Sequence, residues 1–319
     1  MFSKLTTPPR DPVPDTGRAA RLHTGTRQPV NWLLLILLTV CPYLHAAISV
    51  TDDAGHAVTL TRPAQRIVSL APHVTELLFA AGAGSVVVGV SEFSDYPDAA
   101  RNIARVGGGG GIDTEAVLAL QPDLVIAWQS GSPAGAVQRL RATGLQVFLS
   151  EPRRLEDIPH TIARFAQLAG TELQAREPVL DFNARLADLR ARYASRRPVS
   201  VFYQIWDHPL MTVNGAHIAD DVIRLCGGYN IFSALDVLAP QVSTEAVLVR
   251  DPQVIVAAAE HTGSEAELAM WRRWPQLQAV TGNNLHTLRR ELLVRHTPRI
   301  LDGAARLCEY LEQARNEVR

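Results

Sequence analysis

Two α/β lobes joined by a single long helix are the architecture this sequence predicts, and three observations carry the prediction. Short apolar strands alternate with helical stretches in both halves, the pattern of parallel βαβ units. Between the halves runs a stretch of helical period with no strand pattern. One motif occurs twice, once in each half. Residues 113–127 read D-T-E-A-V-L-A-L-Q-P-D-L-V-I-A and residues 243–257 read S-T-E-A-V-L-V-R-D-P-Q-V-I-V-A, an offset of 130 positions. Each copy opens on an N-cap residue, Asp113 or Ser243, followed by a short amphipathic helical turn. A proline, Pro122 or Pro252, then stops the helix, and an apolar run that reads as a buried strand follows. Two similar lobes most simply hold a ligand between them.

The elements divide the chain into residues 1–46, 47–170, 171–195 and 196–319. The first segment is an N-terminal extension and export signal. Arg10, Arg18, Arg21 and Arg27 precede a compact apolar run at 32–40, and Pro42 and His45-Ala46-Ala47 follow it. The run is shorter than the roughly 20 apolar residues of a membrane span. A cleavable signal is preferred over an uncleaved anchor. Lipidation at Cys41 is disfavoured by the bulky Val40 before it.

Beyond the signal, residues 48–60 alternate around Asp53-Ala54-Gly55 and predict a hairpin. The N-terminal lobe then offers strands at 67–70, 86–90, 124–127 and 147–149, with helices near 74–81, 114–120, 134–143 and 155–169. From Glu172 to about Tyr193 helix formers dominate, with Leu180, Leu186, Leu189 and Tyr193 at helical spacing and one proline, Pro178, near the start. This strut, about 30 Å long at 1.5 Å per residue, favours small rocking over wide hinge opening. The C-terminal lobe begins with a strand at 199–204 and continues with a helix at 217–226, the repeated unit, and a last helix from Pro298 to about Glu312.

Composition narrows the function. Hydrophobic residues make up 47% of 319, enough for one or two cores, and the net charge of −1 leaves no electrostatic footprint for nucleic acid. Catalytic signatures are absent: there is no G-x-S-x-G, H-E-x-x-H or P-loop lysine. The five glycines from Gly107 to Gly111 lack a phosphate-binding register and read as a mobile loop with close backbone approach. Aromatics are only 6%, yet several follow predicted strands: Phe93 and Tyr96 after 86–90, Trp128 with Gln129 after 124–127, and Trp206 after 201–204. Ligands of parallel α/β sheets sit beyond those strand ends, so Tyr96, Trp128 and Trp206 form a candidate stacking surface.

His73, His208 and His296 each fall in a predicted loop or helix start. Without tight spacing they read as surface or helix-start positions rather than metal ligands, and no metal is expected. Glu115 and Glu245, the matched acids of the repeat, suit the positive end of a helix. As a symmetric pair they also suit two arginines of a pseudo-symmetric partner. Cys226 and Cys308 read as either a disulfide or two separate buried thiols.

Longer motifs bring in a resemblance. R-I-V-S-L-A-P-H-V-T-E-L-L-F-A-A-G (66–82), S-D-Y-P (94–97), P-D-L-V-I-A-W (122–128), C-G-G-Y-N-I-F (226–232), P-Q-V-S-T-E-A-V-L (240–248) and P-R-I (298–300) resemble the periplasmic cobalamin-binding proteins of bacterial ABC importers. The wider family of helix-strutted, class III periplasmic binding proteins also takes haem and ferric siderophores. The resemblance implies two Rossmann-like lobes and a corrinoid between them. It assigns ligand contact to Tyr96, Trp128, Gln129 and the 204–206 region including Trp206, with Glu291 and Arg295 on the far lobe. Glu115 and Glu245 become docking acids for the permease, which works with its ATPase at the inner membrane. A Cys226–Cys308 disulfide is implied as well. This chain departs from the family where it carries the glycine run and Ala239 in place of two tryptophans, and Trp206 is placed to replace one of them.

The expectation is therefore a periplasmic solute-binding protein, a monomer when free, that takes cobalamin or a related corrinoid as ligand, uses no cofactor and performs no reaction. A haem or ferric-siderophore binder of the same fold is the alternative. A metal-dependent enzyme built on His73 and His208 is a third reading, without convergent ligands to support it.

Overall fold

An antiparallel hairpin of β1 (Ile48–Thr51) and β2 (Ala57–Leu60) starts the part of the chain that the computed structural model describes, residues 47–108 and 111–317. The expected export signal at 1–46, with the lipidation question at Cys41, lies outside the described residues, as do Gly109 and Gly110 of the glycine run. The hairpin turn holds Gly55 at φ 84°, a left-handed conformation that glycine adopts without a Cβ clash.

The N-terminal lobe follows. In chain order it contains β3 (Ile67–Ser69), α1 (Pro72–Ala80), β4 (Val87–Val90), β5 (Ala104–Arg105), β6 (Gly107–Gly108), β7 (Gly111–Ile112), α2 (Thr114–Ala119), β8 (Leu124–Trp128), α3 (Ala134–Ala142), β9 (Val147–Ser150) and α4 (Asp157–Ala169). Its five-stranded sheet has the order β5-β4-β3-β8-β9 and is parallel throughout. Then comes α5 (Glu172–Tyr193), the strut, 22 residues and roughly 33 Å long. The C-terminal lobe contains β10 (Val199–Gln204), α6 (Ile218–Leu225), β11 (Gly228–Asn230), α7 (Thr244–Arg250), β12 (Val254–Ala259), α8 (Gln278–Thr281), β13 (Leu285–Arg289), α9 (Glu291–Val294) and α10 (Ile300–Glu317). The sheet order is β11-β10-β12-β13, again all parallel.

Side chains alternate between the two faces of each sheet, as a strand requires. Val201, Tyr203, Val254 and Val256 face the strut side, while Phe202, Ile255 and Ala257 face an outer cluster around Trp271. In the N-terminal sheet Ile67, Leu124 and Ile126 face the strut side, and Val68, Val125 and Ala127 face the outer helices. One apolar cluster runs from Phe148 and Phe165 through Phe182 and Leu186 of α5 to Val201 and Leu311. The strut is thus packed into both lobes. Arg190 pairs with Glu156 on the N-terminal side and Arg185 with Asp302 on the C-terminal side.

Three expectations change. The buried stripe of α5 is Ala175, Phe182, Leu186 and Leu189, whereas Leu180 lies out in solvent at 62% exposure. Helical spacing alone selects a period, and the packing of α5 against α4 and α10 selects the phase. The described ends of the glycine run form a ladder rather than a loose loop, with Gly107 opposite Ile112 and Gly108 opposite Gly111. A Cβ on Gly107 would lie 2.4 Å from the Gly111 carbonyl oxygen, so glycine is needed there for backbone approach. Finally, β5, β11 and β13 have no counterpart in the sequence reading: β11 is only G-Y-N, and L-H-T-L-R of β13 mixes polar with apolar residues at a sheet edge.

Cys226, the C-cap of α6, and Cys308 in α10 are joined by a disulfide spanning 82 residues. Closing a loop of that length restricts the unfolded chain by about 4 kcal/mol in the chain-entropy account.

Candidate functional site

In each sheet the order reverses at one point, between β3 and β8 in the first and between β10 and β12 in the second. Crevices open at the carboxyl ends of the strands beside such reversals. The repeated motif explains why both lobes are alike here: α2 leads into β8 and α7 into β12, the reversal strand of each lobe. Asp113 accepts the N–H of Ala116 at 2.9 Å and Ser243 that of Ala246 at 3.2 Å, so both copies are capped in the same way. Glu115 and Glu245 are exposed in the first turn of each helix, and Val117 and Val247 are buried beneath them. Hydrogen bonds from its own backbone N–H and from Ser243 hold Glu245 below the usual carboxylate range.

On the N-terminal side the turn after β3 delivers His73 to the first turn of α1, buried. Trp128, the last residue of β8, meets it edge-on with ring centroids 5.3 Å apart. A Cβ on Gly131 would overlap the Trp128 ring, so this glycine makes room for the indole. Gln129 is exposed beside it. The loop after β4 is tied down by Thr75, whose hydroxyl bonds Ser69 at 2.8 Å and Ser94 at 3.0 Å. Arg105 reaches the carbonyls of Ser91 and Ser94 at 3.1 Å and 2.9 Å. On this anchored loop Phe93 is 72% exposed with φ 61°, and Tyr96 is 46% exposed. An aromatic residue held in left-handed backbone and presented to solvent marks strain maintained by its surroundings.

On the C-terminal side Trp206 is 45% exposed, donates to the His208 carbonyl at 3.0 Å and lies under the Arg290 guanidinium at 4.4 Å. Gln204 does not join it. Its amide is buried and committed to Trp271 at 2.7 Å and to the Glu267 carbonyl at 3.2 Å. Glu291 pairs with Arg289.

The two lobes meet through charge. Arg295 donates to Asp95 at 2.7 Å, to Glu76 at 3.1 Å and to the Phe93 carbonyl at 3.2 Å. Arg299 donates two bonds to the buried Glu76 carboxylate, at 2.9 Å and 2.6 Å, and stacks over the Tyr96 ring at 4.0 Å. Burial by itself would lower both arginines, but Asp95 and Glu76 keep Arg295 raised and Glu76 keeps Arg299 raised. Tyr96, Arg299, Phe79 and Glu76 also line a cavity of about 430 Å³ against Glu177 and Asp181 of the strut.

Beside these arginines His296 is buried, 5.4 Å from His73 across the lobe boundary and 5.9 Å from His217, ring centroid to centroid. Its place in the interior corrects the expectation of a surface or helix-start histidine. His73 does sit at a helix start, but buried, and only His208 is freely exposed, beside Asp207. His217 caps α6 by accepting the Ala219 N–H at 3.1 Å. Burial pushes His73 down to about 3, with Arg295 adding to it, and His217 down to about 4. His296 falls well below the usual imidazole range through burial, then through its two histidine neighbours.

Glu76, Arg299 and His217 escaped the sequence reading as site residues. The signal for Glu76 was present: His73 and Glu76 stand three apart, on one face of an otherwise apolar helix.

The fold, two parallel α/β lobes on one long helix, is that of a two-lobed binding protein. The chain belongs to the periplasmic binding protein family, whose profile matches residues 67–292. It is 38% identical over 286 residues to the vitamin B12-binding protein of Vibrio cholerae serotype O1, covering 89% of this chain and all of that one. It is likewise 38% identical over 255 residues to the vitamin B12-binding protein of Yersinia pestis, covering 79% of this chain and 89% of that one. Among solved structures it is similar to the periplasmic vitamin B12 binding protein BtuF of Vibrio cholerae, with a TM-score of 0.74 and 40% identity over 79% of this chain and 98% of that one. The periplasmic heme-binding protein BhuT shares the fold, at a TM-score of 0.69 and 23% identity over 78% and 98%.

Proposed function

We propose that this protein captures cobalamin or a related corrinoid between its lobes and delivers it unchanged to an ABC permease. The observation that carries the reading is the 38% identity with a vitamin B12-binding protein over that protein's full length. The crevice supports it. Phe93, Tyr96, Trp128 and Trp206 supply aromatic surface at the carboxyl ends of both sheets, which suits burial of a large, partly apolar ring system. Gln129, Glu291 and Arg295 offer polar contacts for a corrin's amide rim. Such a ligand is rigid, so it loses little conformational entropy on binding, and modest closure about the strut suffices.

Glu115 and Glu245, exposed on equivalent helices and in no ion pair with a described residue, serve in this reading as one docking acid per lobe. An exported chain places the capture step in the periplasm, with the permease and its ATPase at the inner membrane. Titration of the purified protein with cyanocobalamin, haemin and a ferric siderophore, followed by tryptophan fluorescence and calorimetry, tests the ligand. Saturable cyanocobalamin binding is expected. Binding of haemin alone overturns the corrinoid reading in favour of a haem carrier.

A further inference from the structure

The turn that carries Trp128 and Gln129 has the composition of a flexible linker. After β8 the chain reads Gln129-Ser130-Gly131-Ser132-Pro133, and four of these five residues are exposed. The turn is nevertheless tied at every residue that faces the crevice. Trp128 is bonded to Ser132 through both backbone groups: its N–H donates to the Ser132 hydroxyl at 3.0 Å, and its carbonyl accepts the Ser132 N–H at 2.9 Å. The Gln129 N–H reaches the Ser150 carbonyl at 3.1 Å. Ser130 at the tip is taken by Glu151, whose carboxylate accepts the Ser130 N–H at 2.9 Å and its hydroxyl at 3.1 Å.

Glu151 is an unusual residue for that place. It is 6% exposed and in no ion pair with a described residue, whereas buried carboxylates are ordinarily paired with a cation. Both of its oxygens face one exposed serine instead. Its own backbone is fixed from the hairpin, since the Glu151 N–H donates to Asp53 at 2.5 Å and Arg164 of α4 holds Asp53 at 2.7 Å. The same hairpin turn grips the end of β9 twice more. The Asp53 N–H donates to the Leu149 carbonyl at 2.9 Å, and the Asp52 carboxylate accepts the Leu149 N–H at 3.2 Å. At the far end of the segment, the Leu155 N–H donates to Asp221 of α6 at 2.9 Å. Residues 151–155 are thus fastened once in each lobe, with Glu151 aimed at the turn between Trp128 and Ser132.

We propose that Glu151 is a positioning residue for ligand capture: through Ser130 it holds Trp128 and Gln129 in their binding arrangement before the ligand arrives, and Asp53 of the hairpin holds Glu151. The role rests on the corrinoid reading and deepens it. A wall ordered in advance needs no ordering at the moment of binding, whereas a loose wall has to be immobilised then, which lowers affinity.

Glu151→Met tests the role. It keeps the side-chain volume, removes both acceptors and leaves the exposed Ser130 donors to water, so the fold should persist. Cyanocobalamin should bind about tenfold more weakly. The indole N–H signal of Trp128 in ¹H–¹⁵N spectra of the ligand-free protein, assigned with Trp128→Phe, should broaden. Glu151→Gln retains an acceptor for the Ser130 N–H and should bring affinity back to within about twofold of the parent, with a sharp indole signal. Ser130→Ala removes one donor at an exposed position and should weaken binding about threefold. Parental affinity in Glu151→Met overturns the proposal, whatever the indole signal shows. Lost affinity with a sharp signal also overturns it, because the effect then lies outside the turn, as does a Glu151→Gln variant that behaves like Glu151→Met. If neither Glu151 variant folds, parental affinity in Ser130→Ala overturns it. If the parent itself does not bind cyanocobalamin, the corrinoid reading fails, and the indole comparison alone decides whether Glu151 orders the turn.

Discussion

Arg299 of the C-terminal lobe and Glu76 of the N-terminal lobe form a two-pronged hydrogen bond across the crevice, at 2.9 Å and 2.6 Å. Glu76 is almost wholly enclosed and Arg295 shares the same carboxylate, so one buried negative charge holds two cations of the other lobe. Replacing Glu76 by alanine leaves both guanidiniums desolvated without their common partner. The expected cost is about 3 kcal/mol, read as a shift of the urea midpoint, with a larger radius of gyration in small-angle scattering as the lobes separate. Parental stability in Glu76→Ala contradicts a latch.

The histidines set the acid limit of stability. His73 at about 3, and His217 and His286 at about 4, are depressed chiefly by burial from an ordinary value of 6.5. As pH falls below that value the unfolded chain takes up protons that the folded one refuses until the lower values are reached. Stability is therefore full above about pH 6.5 and declines toward pH 4, by up to about 1.4 kcal/mol per pH unit for each buried histidine. Urea unfolding across that window gives the slope. His73→Asn should flatten it by about one proton, and a slope unchanged by that substitution refutes the assignment of His73.

Phe93 should trade stability for ligand affinity. Its φ of 61° costs a β-carbon residue roughly 1 kcal/mol that glycine does not pay, while its ring is 72% exposed and buries little. Phe93→Gly is expected to raise the thermal midpoint slightly and to weaken cyanocobalamin binding by about tenfold through the lost stacking surface. Loss of both stability and affinity would mean that the ring packs within the protein and forms no ligand wall.

Charge reversal at both Glu115 and Glu245 bears on delivery. The pair is exposed in the first turn of helices that are equivalent in the two lobes, one before β8 and one before β12. Ligand-stimulated ATPase activity of the reconstituted transporter should fall at least about tenfold, with the ligand titration of the free protein unaltered. Full stimulation by the double variant leaves these acids with helix-terminus stabilisation alone.

Much of the architecture was legible from local signals. The short apolar runs of 67–70, 124–127 and 199–204 became central strands because both of their faces are largely apolar. Asp113 and Ser243 began their helices because a side-chain oxygen can take an N–H that the helix leaves unpaired. Less legible were elements whose order comes from neighbours. The strand G-Y-N at 228–230 has no pattern of its own and exists by pairing with β10. Leu180 has the same apolar character and spacing as Leu186, yet one is exposed and the other buried, because only the docked partners decide which face of a helix is inward.

The sequence by itself determined the two-lobed α/β architecture, the strut, the duplicated capped helices with their acids, and the aromatic residues after the strands. Each of these follows from periodicity, capping or a motif short enough to be read along the chain. Only the tertiary structure decided that His73, His217 and His296 meet, that Glu76 answers Arg295 and Arg299, and that Gln204 turns away from the crevice into the core. The physical reason is that these partners stand up to 223 positions apart in sequence. Local patterns carry no information about such distances, and the two lobes have to close on the strut before any of those contacts exist.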